Sequence, residues 1–88
     1  MATKLSMADP KHVMDRTLER VGKQHVKSFV RGMKIAASRY TLTADWAIKI
    51  VLNGKVLGVA VGRGRTWSTT LKAGFQPRYQ SQFYTINL

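Results

Sequence analysis

Arg63 and Arg65 alternate with Gly62 and Gly64 in the run Gly62-Arg63-Gly64-Arg65, directly after the apolar stretch VLGVAV at 56–61. Glycine lets a backbone turn tightly and lie close to another surface. Arginine presents a planar, permanently charged fork that matches phosphate oxygens and base edges. The chemistry these residues suggest is anion recognition; the plainer reading is a hairpin tip whose charges are solvated. Bond-making chemistry has no support, because two histidines, four acids and no cysteine offer no nucleophile–base pair and no thiolate zinc site. The chain therefore reads as a non-enzyme without cofactor or metal. His12, Asp15 and Glu19 do have a spacing that a metal can use, but acids near a helix start are explained by the helix dipole.

Charge gives the tip its context. Fifteen Lys and Arg face four acids, for a net charge of +11 in 88 residues. The acids are Asp9, Asp15, Glu19 and Asp45, so nothing after Asp45 is negative. Six basic and no acidic residues lie between Arg20 and Ala44, and six more basic residues follow Trp46. So basic a chain repels itself unless an anion binds it, and nucleic acid is the usual partner. An anionic membrane or an acidic protein ranks below it. No apolar run approaches the roughly 18 residues needed to span a bilayer, and the start MATKLSMADP lacks the apolar core of a secretory signal. The expected setting is cytoplasmic, in a nucleoid or in a virus-infected host cell.

The elements that must carry these charges come in two halves. Asp9-Pro10 reads as a helix start, with Asp as N-cap and Pro at the first helical position. At 100° per residue, Arg16, Arg20, Lys23, Lys27, Arg31 and Lys34 fall on one face. Met14, Leu18, Val21, His25, Phe29, Gly32 and Ile35 fall opposite, with His25 as a core or interface histidine. The phase continues through Gly22, which predicts one basic amphipathic helix over 9–38 behind a flexible 1–8, with a break near Gly22-Lys23 as its weak point. From Arg20 onward every charged neighbour on the face is a like charge, a cost that a bound polyanion removes. A helix on the order of 40 Å long also outruns a seven-residue strand of about 23 Å. The surplus apolar surface predicts a homodimer through the helix.

Trp46–Leu52, Asn53-Gly54 and Lys55–Val61 read as a hairpin with a two-residue type I′ turn. Pairing about that turn puts Trp46, Ile48, Ile50, Leu57, Val59 and Val61 on one face, the expected core. Residues 66–73 fit either a third strand or a short helix closed by Gly74. The tail FQPRYQSQFYTINL turns at Gln76-Pro77 and ends as a strand with Tyr84, Ile86 and Leu88 on one side. Its other aromatics, interleaved with Arg78, suit base stacking but are expected to complete the core. The fold class is then α+β, a single domain over 1–88. One long N-terminal helix packs on a small antiparallel sheet of three to four strands within 44–88.

The stretch NGKVLGVAVGRGRTWSTTLKA resembles the DNA-binding end of the histone-like nucleoid-structuring silencers. That family has a hairpin with an N-G-type turn, a G-x-G-R-T loop and a helix carrying K-A. Gly62, Arg63, Gly64, Arg65 and Thr66 match the loop, and Lys72-Ala73 match the helix end. The resemblance implies insertion of the loop into an A·T-rich minor groove. Trp67 departs from it, standing where the family has proline, and Ala60-Val61 replace its Trp-Thr entry. The hairpin is also slightly similar to strands of double-stranded-RNA-binding domains, without their lysine cluster and long second helix. The expected function is binding of double-stranded DNA, favoured over RNA on the strength of the tip. Arg63 and Arg65, with Gly62 and Gly64, would enter the groove, and Arg20, Lys23, Lys27, Arg31 and Lys34 would hold phosphates. The alternatives are a small viral inhibitor or adaptor that docks on an acidic partner, and a structural subunit of a nucleoprotein particle.

Overall fold

Asn53 and Gly54 both adopt positive φ, 51° and 81°, as a type I′ turn requires. They join strand β2 (Asp45–Leu52) to strand β3 (Lys55–Arg63). This computed structural model describes residues 5–88. The pairs nearest the turn are the expected Leu52–Lys55 and Val51–Val56, but the register then shifts, so that Ile50 faces Gly58 instead of Leu57. One extra residue in a strand reverses the side of every residue beyond it. Trp46, Ile48 and Ile50 thus share a face with Gly58, Ala60 and Gly62, and Val59 and Val61 lie on the other side with Ala47. The expected partnership of Trp46 with Val59 and Val61 is corrected by this bulge.

Three more strands complete the sheet. Strand β4 (Thr66–Leu71) returns antiparallel to β3, which settles 66–71 as strand. Strand β5 (Gln82–Asn87) lies parallel to β2, and the short β1 (Ser6–Met7) lies parallel to β4. The order is β1-β4-β3-β2-β5. The sheet is therefore five-stranded and mixed, which corrects the antiparallel sheet of three to four strands. The parallel β5 follows from the connection 72–81, which carries the chain past β3 and β2 before pairing. Of the N-terminal segment expected to be flexible, residues 1–4 lie outside the described residues, while Ser6 and Met7 are held in the sheet.

The single helix over 9–38 is likewise corrected. Helix α1 (Pro10–Val21) begins where expected, with the Asp9 carboxylate accepting from the His12 N–H at 3.3 Å. It ends at Gly22, whose φ of 96° is open to glycine and costly for other residues. The Gly22 N–H closes the last turn on the Leu18 carbonyl. A three-residue 3-10 turn (Lys23–His25) leads into helix α2 (Val26–Arg39). The body measures 29 × 27 × 27 Å, too short to support one helix on the order of 40 Å. Breaking it lets both halves cover the same sheet face, α1 with Val13, Thr17 and Val21 and α2 with Phe29, Gly32, Met33, Ala36 and Ala37. The surplus apolar surface that predicted a helix-mediated homodimer is thereby used within the chain. Leu18 alone among large helical apolar side chains of the described residues stays exposed.

The small residues of β3 explain how this core closes. Gly58, Ala60 and Gly62 face the helices, and they leave room for Phe29, Trp46 and Trp67, all buried. A Cβ on Gly62 would collide with the Trp46 ring and the Thr66 carbonyl. Phe29 meets Trp67 at 6.0 Å between ring centres, and Tyr40 stacks on Tyr84 at 4.0 Å. The polar contact inside this layer is satisfied: the Thr17 hydroxyl lies 2.7 Å from the Val13 carbonyl and 2.8 Å from the Thr70 hydroxyl. No helix among the described residues is long and apolar enough to cross a membrane.

Candidate nucleic-acid interface

Gly64 and Arg65 form the two-residue turn between the paired Arg63 and Thr66. Gly64 has φ of 58° while Arg65 does not adopt positive φ, the pattern of a type II′ hairpin turn. Three contacts pin this tip to the body. The Trp46 indole N–H donates to the Gly64 carbonyl at 2.7 Å, the Gly64 N–H donates to the Ala44 carbonyl at 3.0 Å, and the Arg65 carbonyl accepts from the Ser6 N–H at 2.8 Å. Gly62 and Gly64 are thus fully explained by folding, one by the Trp46 ring and one by the turn. Their role in the candidate site is to shape and stiffen the tip.

The two arginines differ. The Arg63 side chain is 81% exposed, and its only acidic neighbour among the described residues is Asp45, 3.7 Å away. An exposed pair of that length contributes little in water and leaves Arg63 available. Arg65 is half-buried, with one guanidinium nitrogen enclosed and without a hydrogen-bond partner. Arg63 is the one that reaches into solvent.

The helical stripe is divided more sharply. The Arg20 guanidinium donates to the Thr70 carbonyl at 2.8 Å and is half-buried, clamping α1 to β4. That bond ties one guanidinium nitrogen of Arg20 to the fold, so Arg20 is less available to a phosphate than the exposed cations of α2. Arg16 donates to Glu19 at 2.6 Å. That hydrogen bond and the Arg16 charge, aided by Arg20 and Lys72, hold the Glu19 carboxyl below its ordinary range. Lys23 sits in the 3-10 turn, and Lys27, Arg31 and Lys34 are exposed on the outer side of α2 at i, i+4 and i+7.

Arg63 and the α2 cations are not brought together. Arg63 pairs with Asp45 in register, two residues beyond Val61 and Ala47, which belong to the cluster on the face away from the helices. The pleat puts Arg63 on that same face. A flat surface cannot touch the α2 stripe and the Arg63 side chain at once. Reading charge along one helix and one loop carries no information on the layers between them, so this separation was invisible in the sequence.

Every acid is already engaged. Asp9 caps α1, Asp15 lies 3.7 Å from Lys11, Glu19 binds Arg16, and Asp45 faces Arg63. Asp15 and Glu19 lie beyond the first helical turn, so their partners are these side chains and not the dipole. No metal-binding group of three or more His, Asp or Glu exists among the described residues. Of the fourteen described Lys and Arg, eleven have no carboxylate within ion-pair distance.

The structure also exposes residues assigned to the core. Phe75 is 55%, Tyr79 91% and Phe83 59% accessible, and only Tyr84 of the tail aromatics packs inward. The alternation of β5 held this signal: with Tyr84 and Ile86 inward, Phe83 must point outward.

The strand at Thr66–Leu71 stands where the resemblance to nucleoid-structuring silencers implies a helix, so the likeness rests on the hairpin and its loop alone. Compared with protein families, with curated proteins and with solved structures, the chain matches none.

Proposed function

We propose that this protein binds nucleic acid, with double-stranded DNA as the ligand, in a nucleoid or in host-cell cytoplasm. The observation that carries the reading is the cationic excess that remains after every acid is engaged: eleven of the fourteen described Lys and Arg have no carboxylate within ion-pair distance, on a body under 30 Å across. Lys23, Lys27, Arg31 and Lys34 hold phosphates, which position a duplex without reading it. On the opposite layer, and so in a separate docking from α2, Arg63 projects from a stiff tip into the minor groove, and Arg65 adds charge at its base. A narrow A·T-rich groove has the deepest negative potential and attracts arginine most strongly.

The test is a pair of titrations of the Arg63→Ala/Arg65→Ala variant, against A·T-rich and G·C-rich duplexes at one salt concentration. The wild type is expected to favour the A·T-rich duplex, and the variant to bind both alike. Arg63→Ala alone is expected to remove most of the preference. Equal losses on the two duplexes would rule out groove insertion and leave only phosphate contact.

A further inference from the structure

The sheet face away from the helices carries exposed aromatic and cationic groups around its buried Ala47, Val59 and Val61, outside the duplex-binding residues of α2. Phe83 on β5 lies opposite Ala47 in the register, and the next residues on that face are Lys49 and Thr85. Phe83 is exposed although Ala47 beside it is buried, and Lys49 stands exposed on the same face. The connection 72–81 adds Phe75, Arg78 and Tyr79, all exposed. Leu71 and residues 75–80 line a cleft of about 170 Å³. Leu71 also packs on the buried Ala47, Val59 and Val61 cluster, which ties the cleft to the sheet face away from the helices. On its wall, the Gln80 carboxamide oxygen is enclosed and accepts no hydrogen bond among the described residues.

We infer that this face binds single-stranded nucleic acid by stacking unpaired bases on Tyr79 and Phe83. The inference rests on the nucleic-acid reading above and specifies a second form of ligand for it. Three exposed rings in a chain of +11 net charge are costly to leave in water, and burying them against a neutral surface would bring like charges together. An unpaired strand resolves both problems, since its bases cover rings while its phosphates meet Lys49, Arg63 and Arg78. A duplex cannot do so, because its base faces are already stacked on one another.

The experiment measures the affinity of the full chain for a labelled oligothymidylate, an abasic strand of the same length and a duplex, at one salt concentration. The abasic strand keeps the phosphates and removes the rings. The base-bearing strand is expected to bind at least about tenfold more tightly than the abasic one. Tyr79→Ala and Phe83→Ala are each expected to weaken binding of the base-bearing strand by about fivefold or more. Abasic-strand and duplex affinities are expected to stay unchanged, and Tyr79→Phe to behave as wild type because it keeps the ring face. Equal affinity for base-bearing and abasic strands, or indifference to both alanine variants, would overturn the inference while leaving duplex binding intact. Alanine variants that alter the sedimenting mass and not strand affinity would also overturn it, and would assign the patch to a second copy of the chain. Absence of binding to all three nucleic acids would remove the underlying reading as well.

Discussion

Replacing Lys27, Arg31 and Lys34 together by glutamate is expected to lower duplex affinity by about 100-fold or more at low salt. The same change should reduce the slope of log affinity against log salt by about three, since each phosphate-contacting cation contributes about one. The three side chains are exposed on the outer side of α2 and no carboxylate among the described residues is paired with them. Their contribution is therefore available to a polyanion and not spent on folding. The loss should be the same on every sequence, because phosphate contacts carry no base information. Thermal unfolding of the variant should stay close to wild type, as the residues that bury α2 are Phe29, Gly32, Met33, Ala36 and Ala37. An unchanged affinity would show that these cations are merely solvated.

Trp46→Ala is expected to cost about 3–5 kcal/mol of stability, a large share of the roughly 5–15 kcal/mol typical of a domain. Trp46 is wholly buried, its ring fills the space that Gly62 leaves, and its N–H holds the Gly64 carbonyl. Removing it opens a cavity between β2 and β3 and releases the tip together. Denaturant unfolding, followed through the remaining buried Trp67, should show a midpoint shifted far below wild type. Trp46→Phe keeps most of the packing and loses the hydrogen bond, for a smaller loss of about 1 kcal/mol. If Trp46→Ala unfolded at the wild-type midpoint, the account of a tip anchored through the core would be wrong.

Local signals in the chain were legible where a single residue type decides the geometry. Asp9-Pro10 marked the start of α1 and Asn53-Gly54 marked the hairpin, because few other residues suit a helix N-cap or a turn with two positive φ angles. The inward phase of Tyr84, Ile86 and Leu88 was readable from alternation. The bulge was not, because residues 56–61 are apolar on both sides and carry no polar alternation to report a shifted register. Size misled there: Val59 and Val61 are buried, but on the face away from the helices with Ala47, because the bulky Trp46, Phe29 and Trp67 require the small side of β3. The break at Gly22 was equally hidden, since the apolar phase runs on through it and only tertiary fit makes two helices better than one. For the candidate site, the tip could be placed at a sheet end. Two properties of the cations depend on contacts distant in sequence: Arg20 clamping to Thr70, and Arg63 lying on the layer opposite α2.

Duplex affinity of the wild-type chain across a range of salt concentrations tests the central claim most directly. With Lys23, Lys27, Arg31 and Lys34 meeting the phosphates of one duplex, the slope of log affinity against log salt is expected to be about −3.6, at about 0.9 per neutralised phosphate. Affinity should then fall by roughly a hundredfold as salt rises from 50 to 200 mM. No binding at the lowest salt, or an affinity indifferent to salt, would contradict nucleic-acid binding through these cations.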